Sequence, residues 1–407
     1  FYAILHMMSE GQLLVDPLIS LRVPIDEAAC AYDKLVGGNV VTIIMKYADA
    51  VEFDCNTINL SSPNAVSSYK MAGIPKLAVI GAGNFTKARL LPALKKSKAV
   101  LHTIASAQGV SSASGGSKYG FQYNTNDLDT IWNTDEIDTV FVTTRHNLHA
   151  NLVSKALQSD KNVFVEKPLC LTKSELRDIR NLYYERRESS RIRLMVGFNR
   201  RFAPLVKKMK FKVKDRVEPL SIIYTINAGH IPADHWTQDM DIGGGRIVGE
   251  ACHFIDLMRY LVGRPIVSVF SLAMGGTGET GASSDKMTIN LEFEDGSHGA
   301  VHYFANGSKT FPKERVEVFS EGRVFQLDNF RKLNISGEKL ISRFSISHFK
   351  PNFSGQDKGH EAGFIAFLNS IRDGEDCPIS FEEIENTMLA TFAAVESAET
   401  GVKKKIL

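Results

Sequence analysis

The sequence predicts two parts of different fold class: an α/β Rossmann domain with a doubly wound parallel sheet, and an α+β domain with an open, mostly antiparallel sheet. Three observations support this prediction. An apolar strand runs through a glycine turn into a helix at "KLAVIGAGNFTKARLLPALKKS". Strands and helices then alternate, which is typical of a parallel sheet, whereas beyond Arg200 strand follows strand with only turn signals between them.

The composition is that of an ordinary globular protein. The 407 residues include 48 basic and 46 acidic side chains, a formal net charge of +2, and 43% are hydrophobic, which is enough for two domains. The balanced charge gives no field that attracts nucleic acid, and no apolar run is long enough to cross a membrane, so neither partner is expected. Five scattered cysteines with no zinc or disulfide spacing favour a cytoplasmic location.

The first 70 residues differ from the rest of the chain. They contain a strand, a helix with an acidic first turn, and "NVVTIIMKY", which is expected to be a buried strand. These elements are too few to close a core, and "NLSSPNAVSSYKMAGIP" has the composition of a linker. We therefore place the Rossmann domain at 71–198, the second domain at 199–380, and a C-terminal helix that packs back on the Rossmann domain at 381–407.

The glycine turn after the first Rossmann strand is expected to bind a phosphate group. Gly81 permits the sharp turn, and Gly83 lets backbone amides approach a pyrophosphate. The helix that follows offers its positive N-terminus to that anion. Thr86 replaces the third glycine of the dinucleotide-binding pattern, so an ordinary strand-to-helix turn is an equally open interpretation of these residues alone.

Polar residues follow several strands of the predicted parallel sheet. Ligands bind beyond the carboxyl ends of such strands, so these residues are candidates for the site. Lys167 has the greatest chemical potential, because an ammonium there would stabilise negative charge that develops on a substrate oxygen. The alternative is a surface lysine paired with Glu166. The candidates selected in this way are Gly81, Ser106, Thr143, Thr144, Glu166, Lys167 and Pro168.

A histidine lies near the start of a predicted helix in "GGGRIVGEACHFIDLMRYLVG", residues 243 to 263. Apolar residues recur there at three- and four-residue spacings, which predicts a helix with one face on a core. His253 falls at the edge of that face. By itself this pattern fits a structural histidine better than a functional one.

The second domain is predicted from a series of strands with turn signals such as "EDGS" and "SEGR" between them, and the helix of His253 is its one long internal helix. Two helices, "GHEAGFIAFLNSIRDG" and "FEEIENTMLATFAAVESAETG", finish the chain. The predicted strands are "PLSIIYTINAG", "IVSVFSLAMG", "DKMTINLEFEDGSHGAVHYFA", "ERVEVFSEGRVFQLDN" and "RKLNISGEKL".

An ordered set of motifs resembles the glucose-fructose oxidoreductase, inositol dehydrogenase and rhizopine-catabolism family, Gfo/Idh/MocA, over roughly residues 75 to 407. The resemblance implies a Rossmann domain, a substrate domain with an open sheet, and hydride exchange between a nicotinamide cofactor and a sugar or cyclitol carbon. The motifs are "VIGAGNF", "KYG", "VTTRHNLHA", "VFVEKPL", "GFNRRFAP" and the glycine-led helix of His253.

The resemblance also implies roles for individual residues. Lys167 would bind and polarise the reacting hydroxyl, and His253, as a group that titrates near neutral pH, would move its proton. Ser106, with no acid or arginine beside it, favours NAD, with NADP as the alternative. The expected cofactor-binding residues are Gly81, Gly83, Asn84, Phe85, Ser106, Thr143, Thr144, His149, Glu166 and Lys167.

One position departs from the family pattern. Many members carry Asp four residues before the histidine, where this chain has Gly249. Glu250 is three residues before His253, beside it on a helix, and is expected to orient the ring instead. Asp256 is another helical neighbour, and a structural carboxylate is an equally open interpretation of it.

The loop "NAGHIPADHWTQDMD" before the glycines is expected to recognise the substrate. Trp236 offers a flat apolar surface to a sugar or a base, and His235 offers a hydrogen-bond donor. The spacing of its histidines and aspartates fits no common zinc pattern, so no metal is expected. Asn199 and Arg200 of "GFNRRFAP" are expected to line the same cleft, with Arg200 or Arg201 meeting a phosphate.

The first 70 residues resemble the carboxyl end of a medium-chain alcohol dehydrogenase, and the Phe start suggests a piece of a longer chain. This arrangement is similar to two-domain oxidoreductases of surface-polysaccharide synthesis, which makes a nucleotide sugar the preferred substrate. The alternatives are a free-sugar or inositol dehydrogenase, and a noncatalytic nicotinamide-binding sensor or assembly partner. The resemblance to Gfo/Idh/MocA also implies a homo-oligomer through the open sheet, since the broad face of such a sheet needs covering.

Overall fold

The computed structural model describes residues 2–38, 40–47, 56–60, 73–107, 110–275, 285–337, 342–345 and 355–406. Most of the predicted linker at 59–75 lies outside these ranges. The chain divides into two compact units, Phe1–Cys55 and Asn56–Leu407. No helix of the described residues combines the length and the apolar character that a membrane crossing requires.

The first unit contains little core. Its helices are α1 (Tyr2–Ser9) and α2 (Ala28–Val36), and its strands β1 (Leu21–Pro24) and β2 (Ile43–Lys46) pair in parallel. Val23 and Ala31 are its buried residues in the described ranges. The prediction of β2 as a buried strand is wrong, because its side chains are alternately half-buried and exposed. The expectation that these elements do not close a core is confirmed.

A seven-stranded sheet forms the first half of the second unit and confirms the predicted doubly wound fold. Its strand order is β3-β6-β5-β4-β7-β8-β9, and all neighbours are parallel except β3, which pairs with β6 in antiparallel fashion. The edge strand β3 comes from the segment that the sequence assigned to remnant and linker. The strands are β3 (Thr57–Asn59), β4 (Lys76–Ile80), β5 (Val100–Ala105), β6 (Tyr123–Thr125), β7 (Thr139–Val142), β8 (Asn162–Val165) and β9 (Leu194–Val196).

Helices α3 to α7 lie between the strands of this sheet in the sequence. The longest, α7, starts at a capping box in which Thr172 and Glu175 satisfy each other's backbone amides. The helix α4 was not predicted, because "VSSASGGSKY" shows no apolar period. The helices are α3 (Leu91–Lys96), α4 (Val110–Tyr119), α5 (Asp129–Trp132), α6 (His149–Gln158) and α7 (Lys173–Ser189).

A nine-stranded sheet forms the second half, in the order β17-β16-β15-β14-β10-β13-β12-β11-β18. Among the described strands of this sheet only β10 and β13 are parallel neighbours, so the prediction of a mostly antiparallel sheet is confirmed. The strands are β10 (Ser221–Asn227), β11 (Ile266–Ala273), β12 (Lys286–Phe293), β13 (His298–Phe304), β14 (Glu314–Ser320), β15 (Arg323–Asp328), β16 (Lys332–Ser336), β17 (Ser342–Ser345) and β18 (Lys404–Lys405).

In the described residues the second half contains two internal helices, whereas the sequence predicted one. α9 (Cys252–Val262) follows a π-helical turn at Ile247–Ala251, and its apolar residues are buried as predicted. α8 (Pro204–Val213) was missed, because the lysines of "VKKMKFKVK" were assigned to a solvated surface. The valines and methionine between those lysines are in fact buried in the core.

The last two helices are α10 (His360–Arg372) and α11 (Phe381–Thr400). α11 was predicted to pack on the Rossmann domain, and it packs on both halves. Met388 belongs to the core beneath the parallel sheet, whereas Ala390 and Ala394 belong to the core beneath the antiparallel sheet. Small residues on one side of α11 let the second sheet come close.

Candidate active site

The turn after β4 requires glycine at its first position. Gly81 has φ +106°, and a Cβ there would lie 2.7 Å from the carbonyl oxygen of Thr143. Thr86, in the place of a third glycine, donates its hydroxyl to Gly81 O at 2.9 Å and lies 2.8 Å from the hydroxyl of Thr143. The two threonines therefore hold the turn, which explains why Thr86 is compatible with it.

The next glycine faces open space. A Cβ at Gly83 would meet no atom within 4 Å. Helical structure starts immediately afterwards, at Asn84 and Phe85, and continues through α3. Unpaired amides at a helix start next to an open glycine suit a phosphate group. The chemistry of these residues fits the diphosphate of a dinucleotide.

Lys167 follows β8 and reaches the second half of the unit. Its Nζ donates to the carbonyl oxygen of Gly249 at 2.6 Å, and the peptide bond between Lys167 and Pro168 is cis. Among the described residues Lys167 forms no ion pair with Glu166. The Glu166 carboxyl lies against Gly197, and burial raises its pKa to about 7 in spite of the neighbouring Lys167 charge. Lys167 is therefore not the surface lysine of the alternative interpretation.

His253 is buried and has an unused hydrogen-bonding atom. Its side chain is 6% exposed, its ring packs edge-on against Phe198, and its Nδ1 has no partner among the described residues. Burial and the nearby charges of Arg200 and Lys167 hold its pKa well below the ordinary value. The expectation that it titrates near neutral pH is therefore wrong. An orphaned buried polar atom indicates a place for a ligand.

Glu250 does not orient His253, contrary to the prediction. Its carboxylate accepts hydrogen bonds from the hydroxyl of Tyr303 at 2.5 Å, from Lys313 at 2.6 Å and from Arg246 at 3.1 Å. Burial alone would raise the pKa of Glu250, but the charges of Lys313 and Lys167 lower it to about 2. Glu250 is thus a charged acceptor within a compact polar cluster.

Arg200 and Arg201 are not free to meet a phosphate, which corrects a further prediction. Arg200 forms a two-point ion pair with Glu314, at 2.7 and 2.9 Å. Arg201 pairs in the same way with Asp256 and also with Glu383. Both guanidinium groups are almost fully buried. The N–H groups of both arginines bind carboxylates on other helices and strands. The carboxylate of Asp256 therefore accepts hydrogen bonds from Arg201 and does not orient His253.

The glycines before α9 allow the chain to approach itself. A Cβ at Gly243 would lie 2.5 Å from the carbonyl oxygen of Trp236, and one at Gly244 would lie 2.6 Å from the Leu171 side chain. Gly244 and Gly245 also have positive φ angles. The glycines are therefore required because the chain packs against itself at these positions. The sequence analysis had instead explained them by a close approach of the chain to a cofactor.

The other predicted residues differ in exposure and in their hydrogen-bond partners. Trp236 is half-buried, whereas His235 is exposed and its Nδ1 lies 2.8 Å from the hydroxyl of Thr237. Asn199 donates to the carbonyl oxygen of Lys358 at 2.7 Å, and Ser106 donates to Ser112 at 2.9 Å. Within the described ranges, no group of three or more potential ligands is arranged to hold a metal ion.

Two histidines at the end of β7 complete the site. His149 is buried, with Nδ1 2.7 Å from the carbonyl oxygen of Pro168 and Nε2 3.3 Å from that of Thr144. It therefore fastens the loop of Lys167 to the loop after β7. His146, which was not among the predicted residues, places Nδ1 2.8 Å from the carbonyl oxygen of Gly243. In the sequence, His146 could have been noticed only from its position, shortly after a predicted strand and three residues before His149.

Comparison with known families assigns both halves of the second unit. Residues 76–198 match the GFO_IDH_MocA model, described as an oxidoreductase family with an NAD-binding Rossmann fold. Residues 218–324 match the model of the GFO/IDH/MocA C-terminal domain. Together the two matches span more than half of the chain.

Curated relatives include two inositol dehydrogenases. A myo-inositol 2-dehydrogenase from Thermotoga maritima is 27% identical over 276 residues, which is 65% of this chain and 78% of that protein. The scyllo-inositol 2-dehydrogenase (NAD(+)) of Bacillus subtilis is 26% identical over 279 residues, 65% of this chain and 77% of that protein. Among solved structures, a levoglucosan dehydrogenase in complex with NADH and levoglucosan has a TM-score of 0.70 at 22% identity, over 82% of this chain and 99% of that chain.

Proposed function

Because the chain belongs to the Gfo/Idh/MocA family of NAD-binding oxidoreductases, we propose that it oxidises a secondary hydroxyl of an uncharged cyclitol or free sugar. One observation carries the proposal. Lys167 binds the carbonyl oxygen of Gly249, one helical turn before the buried His253 with its unpartnered Nδ1. An ammonium whose charge acts on a neutral imidazole supplies the two groups that an alcohol oxidation needs.

The residues of the site have separate roles. Lys167 holds the substrate oxygen and stabilises the negative charge that grows on it. His253, kept neutral by burial and by nearby cations, accepts the hydroxyl proton. The turn at Gly81 and Gly83 holds the diphosphate of NAD at the helix start. When bound, NAD supplies the hydride acceptor.

An uncharged substrate fits the charges around Lys167 better than a nucleotide sugar does. Arg200 and Arg201, the expected phosphate ligands, are committed to buried carboxylates. Lys313 is paired with Glu250 at 2.6 Å. The matched relatives named for inositols and levoglucosan agree with this choice. The alternative substrate class therefore replaces the nucleotide sugar of the sequence prediction.

A panel assay tests the proposed function. The purified protein with NAD or NADP is mixed with myo-inositol, scyllo-inositol, D-xylose, levoglucosan and several UDP-sugars, and the absorbance of reduced nicotinamide is followed. We expect turnover of at least one uncharged compound and none of the UDP-sugars. Turnover confined to UDP-sugars would contradict the substrate class. NAD binding without turnover of any compound would instead favour a noncatalytic role.

The rest of the organisation is proposed from the sequence patterns. We propose that residues 1–55 derive from the end of a medium-chain alcohol dehydrogenase, since their parallel strand-helix-strand unit has little core of its own. We propose domain limits near 198 and 380 for the second unit. We also propose a homo-oligomer through the nine-stranded sheet, which presents Ile223, Leu272 and Phe319 to solvent in the isolated chain.

The pH dependence of oxidation tests the neutral state of His253. A base must be unprotonated, and a pKa held well below the ordinary value keeps His253 neutral at the pH where a free histidine takes up a proton. Besides Arg200 and Lys167, Lys358 and His360 face the ring and act in the same direction. We therefore expect kcat/KM to show no fall at the ordinary histidine pKa.

The titration of Glu166 falls in the same pH range, because its pKa is raised to about 7. The profile is therefore measured for both wild type and Glu166→Gln. A decline of the Glu166→Gln profile with a midpoint near 6.5, the ordinary value for histidine, would show that His253 titrates normally and would refute this assignment.

The glycine turn provides a matched pair of variants. Gly83→Ala adds a methyl group in open space, so we expect an unchanged melting temperature but NAD affinity about tenfold lower, because the methyl group occupies the phosphate approach. Gly81→Ala is strained in φ and meets Thr143, so we expect a loss of about 1–3 kcal/mol in stability as well. Fluorescence titration with NAD measures the affinity of both variants, and thermal unfolding measures their stability. Undiminished NAD affinity in Gly83→Ala would place the diphosphate elsewhere.

A further inference from the structure

The imidazole of His146 fills the space beside Gly249. A Cβ at Gly249 would lie 2.9 Å from Cε1 and 3.1 Å from Nδ1 of that ring, and 3.0 Å from the carbonyl oxygen of Gly243. Gly249 is not among the residues with positive φ. Glycine is therefore required there by space and not by backbone conformation. Any side chain at this position, Asp included, would displace His146.

His146 has one nitrogen engaged and one open. Its Nδ1 lies 2.8 Å from the carbonyl oxygen of Gly243, so Nδ1 carries the proton and Nε2 presents a lone pair. In the described part of the chain, Nε2 has no hydrogen-bond partner. The ring is 7% exposed, and the indole of Trp236 packs edge-on against it with centroids 4.8 Å apart. Backbone and indole contacts thus fix the ring while a neutral acceptor stays available.

The same glycine connects His146 to Lys167. The ammonium of Lys167 reaches the carbonyl oxygen of Gly249 at 2.6 Å, whereas His146 covers its α-carbon. The Lys167 charge adds to burial in lowering the pKa of His146 to about 3, which agrees with their proximity. A substrate hydroxyl held by Lys167 would therefore have a neutral imidazole acceptor close by.

We propose that His146 is a substrate-binding residue paired with Gly249: its Nε2 accepts a hydrogen bond from a hydroxyl adjacent to the one that Lys167 holds. The inference rests on the proposed function and deepens it. It identifies the substrate as a vicinal diol on an uncharged ring. A neutral acceptor binds a second hydroxyl without placing another charge beside the Lys167 ammonium.

A double-mutant cycle on stability tests the pair without any substrate. Thermal unfolding is measured for wild type, His146→Ala, Gly249→Ala and the double variant. Gly249→Ala should lower the melting temperature by about 3–6 °C, because its methyl group overlaps the ring. Removal of the ring makes room, so the double variant should lose clearly less than the sum of the two single losses. Additive losses would overturn the pairing.

Kinetics with a deoxy analogue tests the substrate contact. The probe is the panel compound with the highest kcat/KM, together with its analogue lacking one vicinal hydroxyl. His146→Ala should raise KM for the probe about tenfold while kcat changes less than about threefold. The variant should have the same KM as wild type for the analogue, since the contact is already missing. His6→Ala, at an exposed histidine of α1, is the control.

The outcomes separate this inference from the proposed function. Equal rises of KM for the probe and for every deoxy analogue would mean that His146 acts only through the fold, which overturns the substrate contact. If wild type oxidises no compound of the panel, the proposed function fails. The double-mutant cycle on stability then still tests the pairing of His146 with Gly249, because it requires neither substrate nor turnover.

Discussion

Replacing Lys167 with Met is expected to lower kcat/KM for oxidation of the best panel compound by about 1,000-fold or more, while the affinity for NAD changes less than about twofold. Methionine keeps most of the side-chain volume but has no charge. The variant therefore loses the ammonium that stabilises the substrate oxygen as it gives up its proton. The glycine turn at Gly81 and Gly83 is untouched, so the diphosphate is still held.

Steady-state kinetics and NAD fluorescence titration measure the two quantities. The matched control is Lys173→Met, since Lys173 is half-exposed and pairs with Glu396 away from the glycine turn. It should retain the wild-type rate. A Lys167→Met enzyme with near-normal kcat/KM would remove Lys167 from the reaction, and a parallel loss of NAD affinity would assign it to cofactor binding instead.

The second large effect concerns stability. Glu314→Gln should lower the free energy of unfolding by about 3–5 kcal/mol, because it leaves the buried guanidinium of Arg200 without a counter-charge. Glu314 also accepts hydrogen bonds from Tyr224 and Lys358. Burial alone would raise its pKa, but the charges of Arg200 and Lys358 lower it well below the ordinary value. The carboxylate therefore stays charged in the folded protein.

Urea unfolding measures this loss. Since the folded pKa of Glu314 is lowered, the difference from wild type should be full above its ordinary pKa of about 4.5 and shrink as the pH falls below it. The double variant Arg200→Met/Glu314→Gln should lose less than the sum of the single variants. Glu361→Gln, which breaks the exposed pair with Lys96, should cost less than about 1 kcal/mol. Equal losses for Glu314→Gln and Glu361→Gln would contradict the assigned role of the buried pair.

Much of the fold follows from local sequence patterns. The strand, glycine turn and helix at 76–96 and the apolar face of α9 are set by spacing of apolar residues, and they were predicted correctly. The helix α4 is rich in serine and glycine, and α8 carries lysines between its buried residues. Both are stabilised by packing that only the folded protein provides, so local patterns could not reveal them.

The site was predicted in part for the same reason. The end of the strand β8 identified Lys167 as a candidate. The role of His253 came from the family resemblance, because its helix spacing alone favours a structural histidine. The partners of the charged groups could not be identified in this way. Arg200 and Glu314 are 114 residues apart in sequence, and Glu250 has a partner 63 residues away. Such ion pairs depend on how distant parts of the chain pack in the fold. A short sequence motif does not contain this information.

The transfer of deuterium tests the central claim most directly. A cyclitol or sugar that the wild-type protein oxidises is prepared with deuterium on its ring carbons and incubated with NAD, and the reduced nicotinamide is examined by mass spectrometry. We expect that the reduced nicotinamide carries the deuterium and that Lys167→Met forms almost none. Reduced nicotinamide without the label would contradict hydride transfer from the substrate carbon, and with it the proposed function.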